Sequence, residues 1–329
     1  MSQAGFEIER WIDAHVDDDG IPVPCAHQLL GAAGGVLDRG PLPAIDDEEG
    51  PRVPDDLPPV VDAHVHLFDA PLFRAIWRWF DEHGWPVRYK LETPEVIAFL
   101  LGRGVERIVA LHYAHKPGMA RAMNAYMAEV QRREPRVVGL ATVFPGEEGA
   151  REILEEAFDA GLQGVKLHCH VQCFAPDDDA LGVVYEACEA KGLPLVMHAG
   201  REPKSPAYRC DPYELCGAGR VERVLLEHPR LKLVVPHLGA DEYEPYARLL
   251  ERHDNLWLDT TMMLARYFPG DDPARFVVAR PDRVLYGTDF PNLPYAWDRE
   301  LSRLAGMGLT DEGLEAVLGK NAATLYGAP

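Results

Sequence analysis

Eight short apolar runs recur along the chain, and a stretch of helical periodicity separates most neighbours. This alternation limits the fold more than any other feature. The runs are VVDAHVHLF (60–68), RIVALHY (107–113), VVGLATVF (137–144), GVKLHCH (164–170), PLVMHAG (194–200), KLVVPHLG (232–239), NLWLDTTM (255–262) and VLYGTDF (284–290). Their middles are apolar throughout rather than alternating, as parallel strands covered on both faces require. The intervening segments follow the 3.6-residue period, and several end in Gly. One, TPEVIAFLLGRG, opens with Thr93 as the expected N-cap and Pro94 at the first helical position. Eight β/α repeats fill the 270 residues 60–329, close to the ~250 that a (β/α)8 barrel needs. The alternative, a doubly wound open sheet, lacks support, because no run is followed by GxGxxG or GxxxxGKS. The expected fold is an α/β (β/α)8 TIM barrel over 60–329, preceded by a leader over 1–59. Within the leader, GFEIERWIDAHV and CAHQLLGAAGGVL have helical patterning, and GPLPAIDDEEGPRVPDDLPP reads as extended linker.

Barrel enzymes carry their chemistry at the C-terminal ends of the strands, and here the unusual polar residues fall there. The first run ends with His64 and His66, spaced so that period-two alternation sends both the same way. The fourth ends with Lys166, His168 and His170, the fifth with His198, the sixth with His237 and the eighth with Asp289. Imidazole nitrogen and carboxylate oxygen suit a borderline divalent cation such as Zn2+, and a catalytic site leaves one position open. His64 and His66 offer two ligands from one strand; His198 and Asp289 can complete the set across the barrel mouth.

The segments VDAHVHLF, GVKLH, VMHAG, VVPHLG and LYGTDFP, in this order, resemble the amidohydrolase superfamily. More narrowly, they are similar to the amidohydrolase-2 branch of aminocarboxymuconate-semialdehyde decarboxylase-like metal-dependent hydrolases. The resemblance covers 60–329 and includes the closing GKNAATLYG. It implies His64, His66, His198 and Asp289 as metal ligands, and His237 as a residue that contacts substrate, activates water or binds a second ion. Lys166 stands where two-metal relatives carry a carboxylated lysine; an ion-paired lysine is the equal alternative. One Zn2+ ion or two therefore both fit. The implied activity is hydrolysis of a small ester, lactone or amide through a metal-activated water, with Asp289 moving the proton and His237 or Lys166 stabilising the oxyanion. Non-oxidative decarboxylation of a small carboxylic acid, aromatic acids included, uses the same ligands. A non-catalytic barrel is the third reading.

His168 and His170 are expected to line the substrate pocket. The stretch HCHVQC could instead be a separate zinc site, but alternation sends Cys169 away from its neighbours, which favours packing. Arg201 is either a clamp for a substrate carboxylate or an ion-pair partner of nearby acids. The aromatic run LFRAIWRWFDEHGWP (72–86) and the loop SPAYRCDPYELCG (205–217) are candidate walls or lids. WIDAHVDDD (11–19) echoes the HxH run but puts Asp17 in place of the second histidine.

With 33 Lys+Arg against 53 Asp+Glu, the formal charge of −20 argues against nucleic acid or an anionic membrane as partner. The expected partner is a small-molecule substrate, within a homo-oligomer; the leader is expected either to wrap the main body or to reach a neighbouring subunit. The absence of CxxC pairs and of a secretory signature points to reduced thiols in a cytoplasmic protein.

Overall fold

The computed structural model describes residues 42–268, 270 and 272–327. The two expected leader helices, Cys25 and the HxH echo at 11–19 lie outside the described residues. Eight parallel strands follow in order: β1 (Val60–His66), β2 (Val105–Leu111), β3 (Val137–Gly139), β4 (Val165–His168), β5 (Pro194–His198), β6 (Lys232–Val235), β7 (Leu256–Asp259) and β8 (Val284–Leu285). Strands β1 to β3 pair in one sheet and β4 to β8 in another. Parallel bridges join Ala141 to Val165 and Val65 to Phe290, and these close the ring.

An apolar cluster to which seven strands contribute can only be the inside of the ring. It contains Val61, Ala63, Val109, Leu111, Val138, Leu140, Val196, Val234, Trp257 and Leu285. The terminal helix Asn321–Tyr326 plugs it from below with Ala322, Leu325 and Tyr326. The larger cluster lies between strands and outer helices and includes Val60, Val65, Val165, Leu167, Leu195 and Leu233. Strand faces thus sort into an interior and an outer layer by alternation.

Strand β1 departs from strict alternation. Val61 and Ala63 join the interior cluster, which would send His64 and His66 outward. The register with β2 shifts between Asp62 and Val65, and this irregularity changes the phase. Bulges next to active sites commonly re-aim side chains in this way. The two histidines still share a face, because they keep the i, i+2 spacing after the shift.

Most strands are shorter than their sequence runs. After β4 the chain turns into a short helix, Cys169–Gln172, so the alternation expected to carry through His170 stops at His168. The helix Thr93–Gly102 starts from Glu92, not Thr93: the Glu92 and Glu95 side chains form a reciprocal capping box. The Thr93 hydroxyl instead donates to the Phe68 carbonyl at 2.7 Å.

The described part of the leader is extended, as its prolines require, and is fastened to the barrel. Asp47 accepts from Arg88 at 2.8 Å and Arg299 at 3.0 Å, and Glu49 pairs with Arg103 at 3.2 Å. These carboxylates are therefore straps rather than solvated decoration. No helix among the described residues is long and apolar enough to cross a membrane.

Candidate active site

The donor atoms of His64, His66 and Asp289 lie within 4.8 Å of one another, and all three residues are buried. The Nε2 atoms of His64 and His66 approach the same oxygen, Asp289 Oδ1, at 3.4 and 3.0 Å. Each ring is held from behind. His64 Nδ1 lies 2.8 Å from Asp259 Oδ2, and His66 Nδ1 lies 3.3 Å from the Leu111 carbonyl. A carbonyl only accepts, so His66 Nδ1 carries a proton toward it. Imidazoles that ligate metals are oriented by such partners.

Asp62 binds the first strand to the last. Its Oδ1 accepts from the His64 amide at 3.2 Å and the Thr288 amide at 3.1 Å, and its Oδ2 accepts from the Thr288 hydroxyl at 2.6 Å. Burial raises its carboxyl to about 7. The Asp289 amide in turn donates to the His64 carbonyl at 2.9 Å. Gly287 permits this approach: a Cβ there would lie 2.7 Å from His64 Cβ.

Asp289 and His237 lie beyond their strands, at φ 77° and 59°, and Met262 nearby has φ 63°. A left-handed conformation costs a non-glycine residue about 1–3 kcal/mol, so three such residues around one cavity mark a site where geometry outweighs local stability. Burial alone would raise the Asp289 carboxyl. The hydrogen bond from His66 and the nearby His64 and His237 rings outweigh it and hold the group below the usual carboxylate range. Burial pushes His64, His168, His198 and His237 below the usual imidazole range, toward the neutral form that ligates metals.

An inner cavity is lined by His66, Lys166, His168, His198, His237 and Asp289, together with Asn292 and Met262. Lys166 is fully buried and its Nζ has no hydrogen-bond partner; burial lowers the amine to about 8. The Asp259 and Asp289 carboxylates act on its charge without a hydrogen bond to it. His198 stands outside the tight trio. Its ring stacks on His168 at 4.1 Å and lies 4.5 Å from His237, and its Nε2 is buried without a partner. His237 Nδ1 lies 3.0 Å from the Thr261 carbonyl, so it donates there and leaves Nε2 as an acceptor.

The donor set fits a borderline divalent cation: two oriented imidazole nitrogens and a carboxylate oxygen converge, with an unpartnered buried imidazole nearby. The sequence pattern did not single out Asp259, yet its signal was present: a carboxylate ending β7, as His198 ends β5. Asp62 and Asn292 also escaped that reading.

A wider cavity opens outside the first, lined by Ile76, Trp79, Phe80, Tyr113, His115, Lys116, His168, His170, Val171 and the loop residues Ala207, Tyr208 and Arg209. The aromatic run and the 205–217 loop thus do form its walls. Tyr208 lies 5.3 Å from Trp79 and 5.2 Å from His170. His170 lines this cavity despite leaving the strand, anchored by Nε2 on the Gly200 carbonyl at 2.8 Å. Arg201 lines neither cavity. It pairs with Glu242 at 3.4 Å and lies over Tyr213, the ion-pair alternative of its two expected roles.

The family model for amidohydrolases matches residues 61–328. No curated protein matches the chain by sequence. Among solved structures, an uncharacterized TIM-barrel protein from Bordetella bronchiseptica is 21% identical with a TM-score of 0.64, over 82% of this chain and 98% of that one. The 5-carboxyvanillate decarboxylase LigW from Sphingomonas paucimobilis is 17% identical with a TM-score of 0.59, over 82% and 99%. A protein from Acinetobacter baumannii described as a probable 2-pyrone-4,6-dicarboxylic acid hydrolase is 15% identical with a TM-score of 0.56, over 82% and 99%. At these identities the likeness is one of fold.

Proposed function

The chain belongs to the amidohydrolase family, and from that membership we propose a metal-dependent hydrolase acting on a small ester, lactone or amide. The observation that carries this reading is the convergence of His64 Nε2 and His66 Nε2 on Asp289 Oδ1 beside the inner cavity that Lys166, His198 and His237 also line. These three residues would hold one Zn2+, with His198 as the remaining protein ligand. A bound divalent cation supplies Lewis acidity and a water of lowered pKa.

The chain's own groups divide the remaining work. Asp289, held in its carboxylate form, accepts a proton from the attacking water and returns it to the leaving group. His237 Nε2 is an acceptor, since Nδ1 donates to Thr261; it orients the water rather than donating to an oxyanion. That donor role falls to Lys166, whose buried amine has no competing partner. His168 and His170 line the approach with the aromatic wall and contact the bound substrate.

A second reading, non-oxidative decarboxylation, is favoured by the outer cavity. Trp79, Phe80, Tyr113 and Tyr208 with Lys116 and Arg209 suit a flat anionic ring. One assay separates the two: metal-loaded protein against a panel of lactones, esters and amides, with carbon dioxide release from aromatic acids measured in parallel. Hydrolysis without carbon dioxide is the expected result, and loss of it in Asp289→Asn supports the assigned base. Carbon dioxide release alone transfers the site to the decarboxylase reading. A protein that retains no metal and turns over neither class is the non-catalytic barrel.

A further inference from the structure

Four cysteines meet around His170 from two segments. Cys169 and Cys173 belong to the turn after β4, and Cys210 and Cys216 to the loop that carries Tyr208. They meet as two pairs. Cys169 and Cys216 are buried and in thiol contact. Cys173 and Cys210 are partly exposed. Both of their sulfurs lie near one acceptor, the His170 carbonyl oxygen, at 3.6 and 3.3 Å, and the two thiols are also in contact with each other.

Among the described residues, His64, His66 and Asp289 are the one group of three or more donors within 4.8 Å of one another. The thiols therefore lack the four-fold convergence that a structural zinc takes. Neighbouring pairs are what a disulfide requires.

We propose that Cys173 and Cys210 form a reversible disulfide that fastens the 203–216 loop over the mouth of the cavity. The proposal concerns access to the site and stands whichever reaction the site performs. Cys173 ends its short helix at φ 55°, and its thiol lies near the same His170 carbonyl as the loop's Cys210. Its thiol is lowered to about 7 by the hydrogen bond from Cys210, with the Arg209 charge assisting. A thiolate that is accessible and beside a resolving cysteine is the form that peroxides oxidise. The buried pair is shielded from the same reagent.

The oxidant is hydrogen peroxide. The Cys173 thiolate sulfur attacks one peroxide oxygen; an S–O bond forms, the O–O bond breaks and hydroxide leaves. The Cys210 sulfur then attacks the sulfenic sulfur; the S–S bond forms, the S–O bond breaks and water leaves. The two sulfurs together lose two electrons, which reduce the peroxide to two waters, and the thiol protons end on that water. A dithiol reductant reverses the linkage. Tyr208 and Arg209 stand beside Cys210 and line the cavity, so linking Cys210 to the barrel-borne Cys173 holds them in place across its entrance.

The test treats the full-length, metal-loaded protein with hydrogen peroxide, blocks residual thiols, digests without reductant and maps linked peptides by mass spectrometry. Expected is a Cys173–Cys210 peptide pair that dithiothreitol separates, absent in Cys173→Ser and in Cys210→Ser and kept in Cys188→Ser. Amide hydrogen exchange over 203–216 should slow roughly tenfold on oxidation and recover on reduction, the signature of a fastened segment. Sulfinic acid at Cys173 without linkage, a Cys169–Cys216 linkage in its place, or linkage that leaves exchange unchanged would each overturn the proposal.

Discussion

His64 Nδ1 and Asp259 Oδ2 lie 2.8 Å apart, with both side chains 1% exposed. Asp259 also accepts from the His237 amide at 3.0 Å through its other oxygen, so one carboxylate fixes a proposed ligand and the turn that carries a proposed catalytic residue. Removing the orienting partner of a metal-bound imidazole typically costs 10–100-fold in metal affinity. Asp259→Asn keeps the shape but removes the charge. It is expected to weaken zinc binding by about that factor, read by chelator competition, while the far-ultraviolet spectrum stays unchanged.

Lys166 presents the opposite case, a buried group with no hydrogen-bond partner. Its amine falls from 10.5 to about 8 because burial disfavours the ammonium. The folded value lies below the unfolded one, so between about 8 and 10.5 the unfolded chain holds a proton that the folded chain has released. Stability of the metal-free protein should therefore rise with pH across this window, and below it the full penalty applies. Lys166→Met removes this contribution. The variant should be more stable at pH 7 by up to about 3 kcal/mol, since each tenfold weakening of proton binding is worth about 1.4 kcal/mol. It should lose the rise with pH in denaturant titrations, and lose turnover at the same time, as groups kept for function often trade against stability.

Glu300 is buried outside the ring of proposed ligands. It accepts from the Met262 and Leu264 amides, each at 2.9 Å, and so holds the left-handed Met262 turn on the cavity wall. Burial raises its carboxyl well above the usual range, yet each of its two oxygens accepts from a different amide. Glu300→Gln keeps only one acceptor oxygen, leaves one buried amide unpaired and should cost about 1–3 kcal/mol. Glu300→Ala leaves two buried amides unpaired and should cost about 2–4 kcal/mol, measured as a fall in denaturation midpoint.

The sequence carried the barrel well because buried parallel strands must be apolar runs, and eight of them between helical periods leave few architectures. It carried the strand-end residues for the same reason: a histidine at the end of such a run has few places to go. It named His170, His237 and Asp289, but not the backbone they take where the chain leaves the strands. His170 sits in a helical turn, and His237 and Asp289 sit at positive φ, conformations that period-two reasoning does not reach. The phase change in β1 was equally hidden, since a bulge is a property of pairing with β2. Asp62, Asp259 and Glu300 work through backbone amides and rings distant in sequence, so no local spacing announces them. Arg201 had two available fates, and only the position of Glu242 on a later turn decided between them.

The Cys173 thiol offers a pH-dependent readout that needs no substrate. The hydrogen bond from Cys210 is the main cause of its lowered value of about 7, against about 8.5 for a free cysteine. The thiolate is the reactive form, so alkylation by iodoacetamide should climb as pH rises and reach half its maximum near pH 7. Cys210→Ala removes the donor and should move that midpoint upward. Arg209→Gln removes the weaker charge contribution and should move it upward less. Both variants leave the proposed metal ligands in place, and site-resolved mass spectrometry separates Cys173 from the other thiols. A midpoint that stays at the ordinary cysteine value in the wild type would show that the Cys210 thiol does not donate to Cys173 in solution.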